Sequence, residues 1–448
     1  MYKTDKNAKI KVMTTLSSLP YKGTRDFYPE EKRTQNYIFS IWRKIAEVYG
    51  YEEYGAPILE PLEIYTAKSG QELANEQTYS FLDRGGRTVA IRPEMTPSIS
   101  RMVAARRQEL AYPARLYSIA NFMRYERPQR GREREFWQLN IDIFGDDSVS
   151  AEAEIIKMSD DIMKATGAKP EDYVIKINNR KLINFMMAQY LGLDAVQAQF
   201  MIKLLDRKEK ISQQDFIDQA TEVFGDLAEV GLPKIQALLN ATSMAELPSE
   251  IRDSAAVSEV QELFTFLERA EVKSLVFDIT LMRGFDYYTG MVFEVFDTNP
   301  DNNRALFGGG RYDGLVGLFG SEPISAVGVA PGGTTFLNFL ESHNLVPKLI
   351  STTDIYLSVL GDTVREANKL ANDFRSKNIN VELDISGRKL DRQIKNVLKK
   401  KIPYILFLGE DEVKSGKYTL KNVAKSEEYK LKFDEIVELF AARRKGVK

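Results

Sequence analysis

Six strand-like segments crowd into residues 56–144: Ala56–Glu60, Thr78–Asp83, Thr88–Arg92, Ala114–Ile119, Phe122–Arg127 and Glu135–Phe144. Turn residues such as Asp83-Arg84-Gly85-Gly86 separate them. Parallel strands need a connecting crossover of a dozen or more residues, so the short spacings here predict an antiparallel sheet.

The rest of the chain is organised around that sheet. Pro29-Glu30-Glu31 opens a helix whose apolar residues Tyr37, Ile38, Ile41, Trp42, Ile45 and Ala46 recur at helical spacing until Gly50. From Val149 to about Ala270 apolar residues recur at intervals of three and four, which predicts a helical insertion. Strand patterns return at Leu275–Thr280, Val292–Phe296 and Ala326–Ala330 and complete the sheet. After Pro347-Lys348, strands alternate with helices of about a dozen residues, as a separate α/β domain requires. The expectation is an α+β chain: core over 1–148 and 271–345, insertion over 149–270, and a C-terminal domain over 353–448. That last segment carries 21 Lys+Arg against 15 Asp+Glu in a 448-residue chain of net charge −2. A basic terminal domain points weakly to nucleic acid, because solvated lysine-rich helices give the same count.

The absence of cysteine removes disulfides, thiolate metal sites and thiol nucleophiles, and the single histidine, His343, removes two-histidine metal motifs. Chemistry must therefore use Arg, Glu, Asp, Tyr, backbone and water. The N-terminus has Lys and Asp where a signal sequence needs an apolar run, and stretches such as Ile405–Leu408 are far below membrane-spanning length. A soluble cytoplasmic protein is expected.

Five arginines fall within residues 124–134, between two strands. Their planar, permanently charged donors suit phosphate oxygens, although a solvated surface hairpin is the alternative. Arg124 and Glu126 share a face at period two near Phe136, which favours a nucleotide floor with an aromatic lid. Arg92-Pro93-Glu94-Met95-Thr96-Pro97 holds a carboxylate and a hydroxyl between prolines, fit to grip an ammonium group or simply to turn the chain. Tyr287 and Tyr288 follow Arg283 and, on a strand, face opposite sides. Gly308-Gly309-Gly310-Arg311-Tyr312-Asp313-Gly314 and Pro331-Gly332-Gly333 permit close backbone approach to a ligand, yet neither is a Walker or Rossmann loop.

Gly23-Thr24-Arg25-Asp26, Ala56-Pro57-Ile58-Leu59-Glu60-Pro61, Arg92-Pro93-Glu94, the Arg124–Gln138 block, Leu281–Gly290 and Gly308–Leu315 together resemble the histidyl-tRNA synthetases, class II aminoacyl-tRNA synthetases, in the right order over about 21–431. The resemblance implies an antiparallel catalytic sheet with a helical insertion and an α/β anticodon-binding domain. It implies ligation of L-histidine to its tRNA through a histidyl-adenylate, with ATP as substrate, Mg2+, and a homodimer formed through the Ala56-Pro57 region. Carried onto this sequence, Glu94, Thr96 and Gln138 hold the amino group of histidine, and Asp142 and Tyr288, beside Tyr287, read its imidazole. Arg283 faces both the histidine carboxylate and the α-phosphate, Arg124 clamps that phosphate from the other side, Phe136 stacks on adenine, Glu126 meets its amino edge, and Arg132 reaches the β- and γ-phosphates.

Three departures stand out. Thr335 occupies the place of the arginine that the family usually sets over the γ-phosphate. Asp142 is one methylene shorter than the usual glutamate, so its imidazole contact is direct or through water. Trp137 replaces a common histidine, and His343, at a helix end, is expected at the surface. Two other readings are a non-catalytic paralogue, such as the regulatory subunit of ATP phosphoribosyltransferase, and a regulatory protein that senses uncharged tRNA.

Overall fold

A computed structural model of the chain describes residues 16–67, 76–241, 243–282, 287–302 and 304–445. Two units emerge, residues 1–346 and 347–448. The strands of the first are β1 (Glu52–Glu53), β2 (Leu59–Pro61), β3 (Ser80–Leu82), β4 (Thr88–Ile91), β5 (Ala114–Met123), β6 (Glu135–Phe144), β7 (Tyr173–Asn179), β8 (Leu275–Phe277), β9 (Met291–Asp297), β10 (Ala305–Arg311) and β11 (Ala326–Val329). Eight of them form one sheet in the order β1-β5-β6-β11-β10-β9-β7-β8, and β2-β4-β3 form a small second sheet.

The interior of the large sheet is antiparallel, as the strand spacing predicts, but both edges are parallel pairs, β1 with β5 and β7 with β8. Each parallel edge has the long connection that such pairing needs. Residues 180–274, mostly helical, separate β7 from β8. The two expected strands Ala114–Ile119 and Phe122–Arg127 are one, β5, paired with β6 from Ala114 to Met123. Asn121, between the two expected strands, donates its amide to Glu135 Oε1 at 3.0 Å across the pair.

Helix Pro29–Val48 has proline in its first turn, where no N–H partner is lost, with Glu30 and Glu31 beside the positive end of the helix dipole. It buries Ile38, Ile41, Trp42 and Ala46, and Trp42 meets Phe336 edge-on at 5.6 Å. A helix not foreseen from sequence runs over Thr96–Ala105. Pro97 in its first turn begins that helix instead of breaking it.

The segment 149–270 is not one inserted helical module. Helix Val149–Lys164 and β7 contribute Ile155, Ile162, Tyr173 and Ile175 to the core of the large sheet. A separate core begins at Leu182 and gathers Met186, Leu204, Phe216, Phe224, Ile235 and Leu238. Helix Ala255–Arg269 serves both, with Val257 and Val260 in the second core and Leu263 and Leu267 in the first. Periodicity reports which residues of a helix are buried, not against what, so 149–179 read like the helices that follow.

The second unit has a five-stranded sheet. Its strands are β12 (Ile355–Val359), β13 (Val381–Leu383), β14 (Tyr404–Leu408), β15 (Tyr418–Asn422) and β16 (Glu427–Leu431), in the order β13-β12-β14-β15-β16. β12 is parallel to both neighbours, and helices Val364–Ser376 and Leu390–Lys399 are the crossovers. Leu357, Leu406, Phe374 and Phe440 form its own core. Among the described residues, no helix is long and apolar enough to cross a membrane.

Candidate active site

A cavity of about 430 Å3 opens over the large sheet of the first unit. Its floor is β6, where Phe136, Gln138, Asn140 and Asp142 all face the cavity at the period-two spacing of a strand. Glu94 and Thr96 enter from the start of helix Thr96–Ala105, and Arg124, Glu126 and Arg132 from the connection between β5 and β6. Tyr287 and Tyr288 close another side. Glycines of β10 and β11 let the backbone come close: a Cβ on Gly328 would lie 2.2 Å from Asp142 Oδ1, and one on Gly309 would lie 2.2 Å from the Gly328 carbonyl oxygen.

Glu94, Thr96, Arg124, Glu126, Arg132, Phe136, Gln138, Asp142, Tyr287 and Tyr288 therefore meet around one space. Arg283 lies outside the described residues. Tyr287 and Tyr288 are not on a strand and do not face opposite ways. Both line the cavity, with ring centroids 5.1 Å apart and planes at 68°.

Arg124 is half-buried, and its Nε donates to the Pro93 carbonyl at 2.9 Å while its guanidinium lies 5.2 Å from the centre of the Phe136 ring. Burial lowers its pKa, with Glu94 and Glu126 opposing, and an arginine still stays charged. The Tyr287 hydroxyl donates to Glu94 Oε2 at 2.9 Å, and burial followed by the Glu94 charge pushes this phenol well up. Asp142 accepts a hydrogen bond from Tyr312. Burial pushes the Asp142 carboxyl up to about 7, against the Tyr312 hydrogen bond, which pulls it down. A carboxyl balanced near neutrality is a hydrogen-bonding partner suited to imidazole, which titrates in the same range.

Arg132, expected to reach phosphates, has its Nε 3.3 Å from Glu126 Oε2. Thr335 lines the cavity, with its hydroxyl 2.5 Å from the Leu306 carbonyl and 3.1 Å from that of Gly332. His343 is not a free surface group: its ring contacts Asp297 at 2.7 Å and Asp172 at 3.5 Å, and its side chain is only 16% exposed. Trp137 faces away from the cavity floor and packs on Phe39 at 5.3 Å.

Sequence reasoning gave no role to Tyr312, Glu133 or Glu294, all of which line the cavity. Tyr312 was visible within the glycine-rich run 308–314, but its bond to Asp142, 170 positions away, was not. Among the described residues five carboxylates (Glu94, Glu126, Glu133, Asp142, Glu294) line the cavity with two arginines. Among the described residues, no group of three or more acidic, histidine or cysteine side chains is placed to hold a metal ion.

Comparison with known proteins gives the same outline. The family model for histidyl-tRNA synthetase matches residues 23–332, and a model for an anticodon binding domain matches 354–443. A histidine--tRNA ligase of Leptospira biflexa is 40% identical over 94% of this chain and 97% of its own length. One from Halobacterium salinarum is 38% identical over 91% and 94%. The fold is also that of a histidyl-tRNA synthetase crystal structure from Nostoc, with a TM-score of 0.81 over 96% of this chain and 100% of that one, at 24% identity. Matches of this extent and identity mean that the chain belongs to the histidyl-tRNA synthetase family.

Proposed function

We propose that the chain joins L-histidine to the tRNA for histidine in two steps, using ATP. The observation that carries this is the convergence of Glu94, Thr96, Gln138 and Arg124 on one cavity that the buried Asp142 also lines. Glu94, Thr96 and Gln138 take the amino group of histidine, and Tyr287 fixes the Glu94 carboxylate through its hydrogen bond. Asp142 and Tyr288 face the imidazole. Phe136 stacks on adenine with Glu126 at its amino edge, Arg132 lies toward the outer phosphates, and Arg124 sits beside the α-phosphate, with Arg283 assigned to its other side.

In the first step a carboxylate oxygen of histidine attacks the α-phosphorus, the bond to the bridging oxygen breaks, and pyrophosphate leaves. Both partners are anions, so the protein's task is to align them and disperse charge, and no general base is needed. A ribose hydroxyl at the end of the tRNA then attacks the acyl carbon, releasing AMP. Mg2+ would come with ATP, and the carboxylates available to it in the cavity wall would be Glu126 and Glu294. When bound, it supplies further charge to the phosphates.

The basic unit 347–448 binds the anticodon, a role supported by its family match and its excess of Lys and Arg. A homodimer forms over the β2-β4-β3 sheet, where Ile58, Leu59, Phe81 and Leu82 are 45 to 69% exposed, a density of apolar side chains that a partner would cover. The protein works in the cytoplasm. The non-catalytic readings are weakened by Arg124 and Gln138, retained in the cavity. Charging of labelled histidine onto its tRNA, with other amino acids as controls, tests the proposal. Acceptance of several amino acids, or of none, contradicts it.

A further inference from the structure

Beyond the cavity mouth lies a smaller one of about 60 Å3, which shares Gly131, Leu306 and Thr335 with the main site. Two exposed arginines line it, Arg130 and Arg304, and neither forms an ion pair with a described residue. Both are placed by local structure. Gln129 and Arg132 exchange two backbone hydrogen bonds, at 3.1 and 2.9 Å, so Arg130-Gly131 is the tip of a tight turn. Gly131, at φ +77°, sits against Thr335 and Asn338 of helix Gly333–Ser342. Arg304 lies on the connection between β9 and β10. That connection is tied to the far end of the same helix: Asn302 Nδ2 donates to Asp297 Oδ2 at 2.6 Å and to Ser342 Oγ at 3.0 Å, while His343 holds Asp297 Oδ1 at 2.7 Å.

The charge in the main cavity calls for something of this kind. Five carboxylates face two described arginines there, and one of these, Arg132, is paired with Glu126. Thr335 has no charge to offer, and its hydroxyl lies against backbone carbonyls. A triphosphate brings about four further negative charges, which a site with an acidic excess repels. Arg130 and Arg304 line the adjoining small cavity without an ion-pair partner among the described residues, and Asp301 is the one acidic residue in that lining.

We propose that Arg304, with Arg130 facing it from the turn, binds the β- and γ-phosphates of ATP and the departing pyrophosphate. This rests on the adenylation reading above. Asn302 acts as a positioning residue that fixes the Arg304 connection against the helix.

The test is ATP/pyrophosphate exchange by the full chain, measured against ATP and against histidine. Arg304→Ala raises the KM for ATP roughly ten- to hundred-fold, the scale of one lost charge-assisted contact, and leaves the KM for histidine near the wild-type value. Arg304→Glu has the larger effect. Thr335→Arg added to Arg304→Ala restores most of the ATP affinity, because it returns a cation to the shared wall of the two cavities. A wild-type ATP KM in both Arg304→Ala and the Arg130→Ala/Arg304→Ala double variant overturns the inference while leaving the adenylation reading intact. Wild-type protein without histidine-dependent exchange removes that reading and the inference with it.

Discussion

The Tyr287 hydroxyl reaches Glu94 Oε2 at 2.9 Å across 193 positions of sequence, inside a buried site. It holds the carboxylate assigned to the amino group of histidine in one orientation. Tyr287→Phe removes that restraint without changing shape, at a cost of about 1 kcal/mol or roughly five-fold. The expected outcome is a rise in KM for histidine with little change in KM for ATP. Equal changes for both substrates place Tyr287 elsewhere in the mechanism.

The Asp142 carboxyl gives a pH signature. Its folded-state pKa of about 7 lies above the ordinary 3.8. Its contribution to folding is therefore present in acid and lost as pH rises through 7. The melting temperature of the empty protein should fall over pH 5–8 relative to Asp142→Asn. Histidine binding should strengthen over the same interval, because the ionised carboxylate accepts the imidazole N–H. Tyr312 pulls this pKa down, so Tyr312→Phe should move the inflection to higher pH. An inflection unmoved in Tyr312→Phe shows that another group titrates.

Gly309 tests the close approach of β10 and β11. A Cβ there lies 2.2 Å from the Gly328 carbonyl oxygen and 2.9 Å from Val329 Cα, both backbone atoms that cannot swing aside. Gly309→Ala should destabilise by about 1–3 kcal/mol in urea unfolding, the scale of an overpacked core. Gly314→Ala, with nothing within 4 Å of the added carbon, is the control and should stay within about 0.5 kcal/mol. Similar midpoints for the two variants contradict the packing argument.

The basic unit should be separable from amino-acid activation. It has its own core, and removal of residues 347–448 should spare histidine-dependent exchange and abolish charging of tRNA. Lys395 and Lys399 are exposed on one helix and four positions apart, whereas Lys400 is paired with Glu382. Lys395→Glu/Lys399→Glu should therefore weaken tRNA binding without breaking that pair. Each lost phosphate contact flattens the dependence of log affinity on log salt by about 0.7–0.9. Unaltered charging by both the truncation and the double reversal excludes this unit from RNA binding.

Much of this was legible from local pattern. The antiparallel interior, helix Pro29–Val48 and the alternation in the second unit follow from spacing and periodicity. Most of the cavity wall came from short runs with unusual chemistry, such as the block 124–138. What stayed hidden depends on distant partners. The parallel edge β7-β8 joins segments separated by about a hundred residues, and helix Val149–Lys164 differs from later helices only in what it packs against. Tyr312 and Asp142, Arg304 and Thr335, and His343 and Asp297 are likewise brought together by the fold. The strands expected at Tyr287 and Tyr288 failed for a related reason. Aromatic, β-prone residues there are used to wall a cavity, not to extend a ladder.

The central claim is that this cavity activates histidine with ATP, and ATP/pyrophosphate exchange with and without histidine measures that step alone. Exchange should require histidine and fall roughly 100- to 1,000-fold in Arg124→Ala, the usual loss for one fixed contact to transition-state charge. Arg124→Lys should rescue it poorly, since a point charge lacks the planar fork. Exchange that is absent from the wild type, independent of histidine, or undiminished in Arg124→Ala would contradict the account.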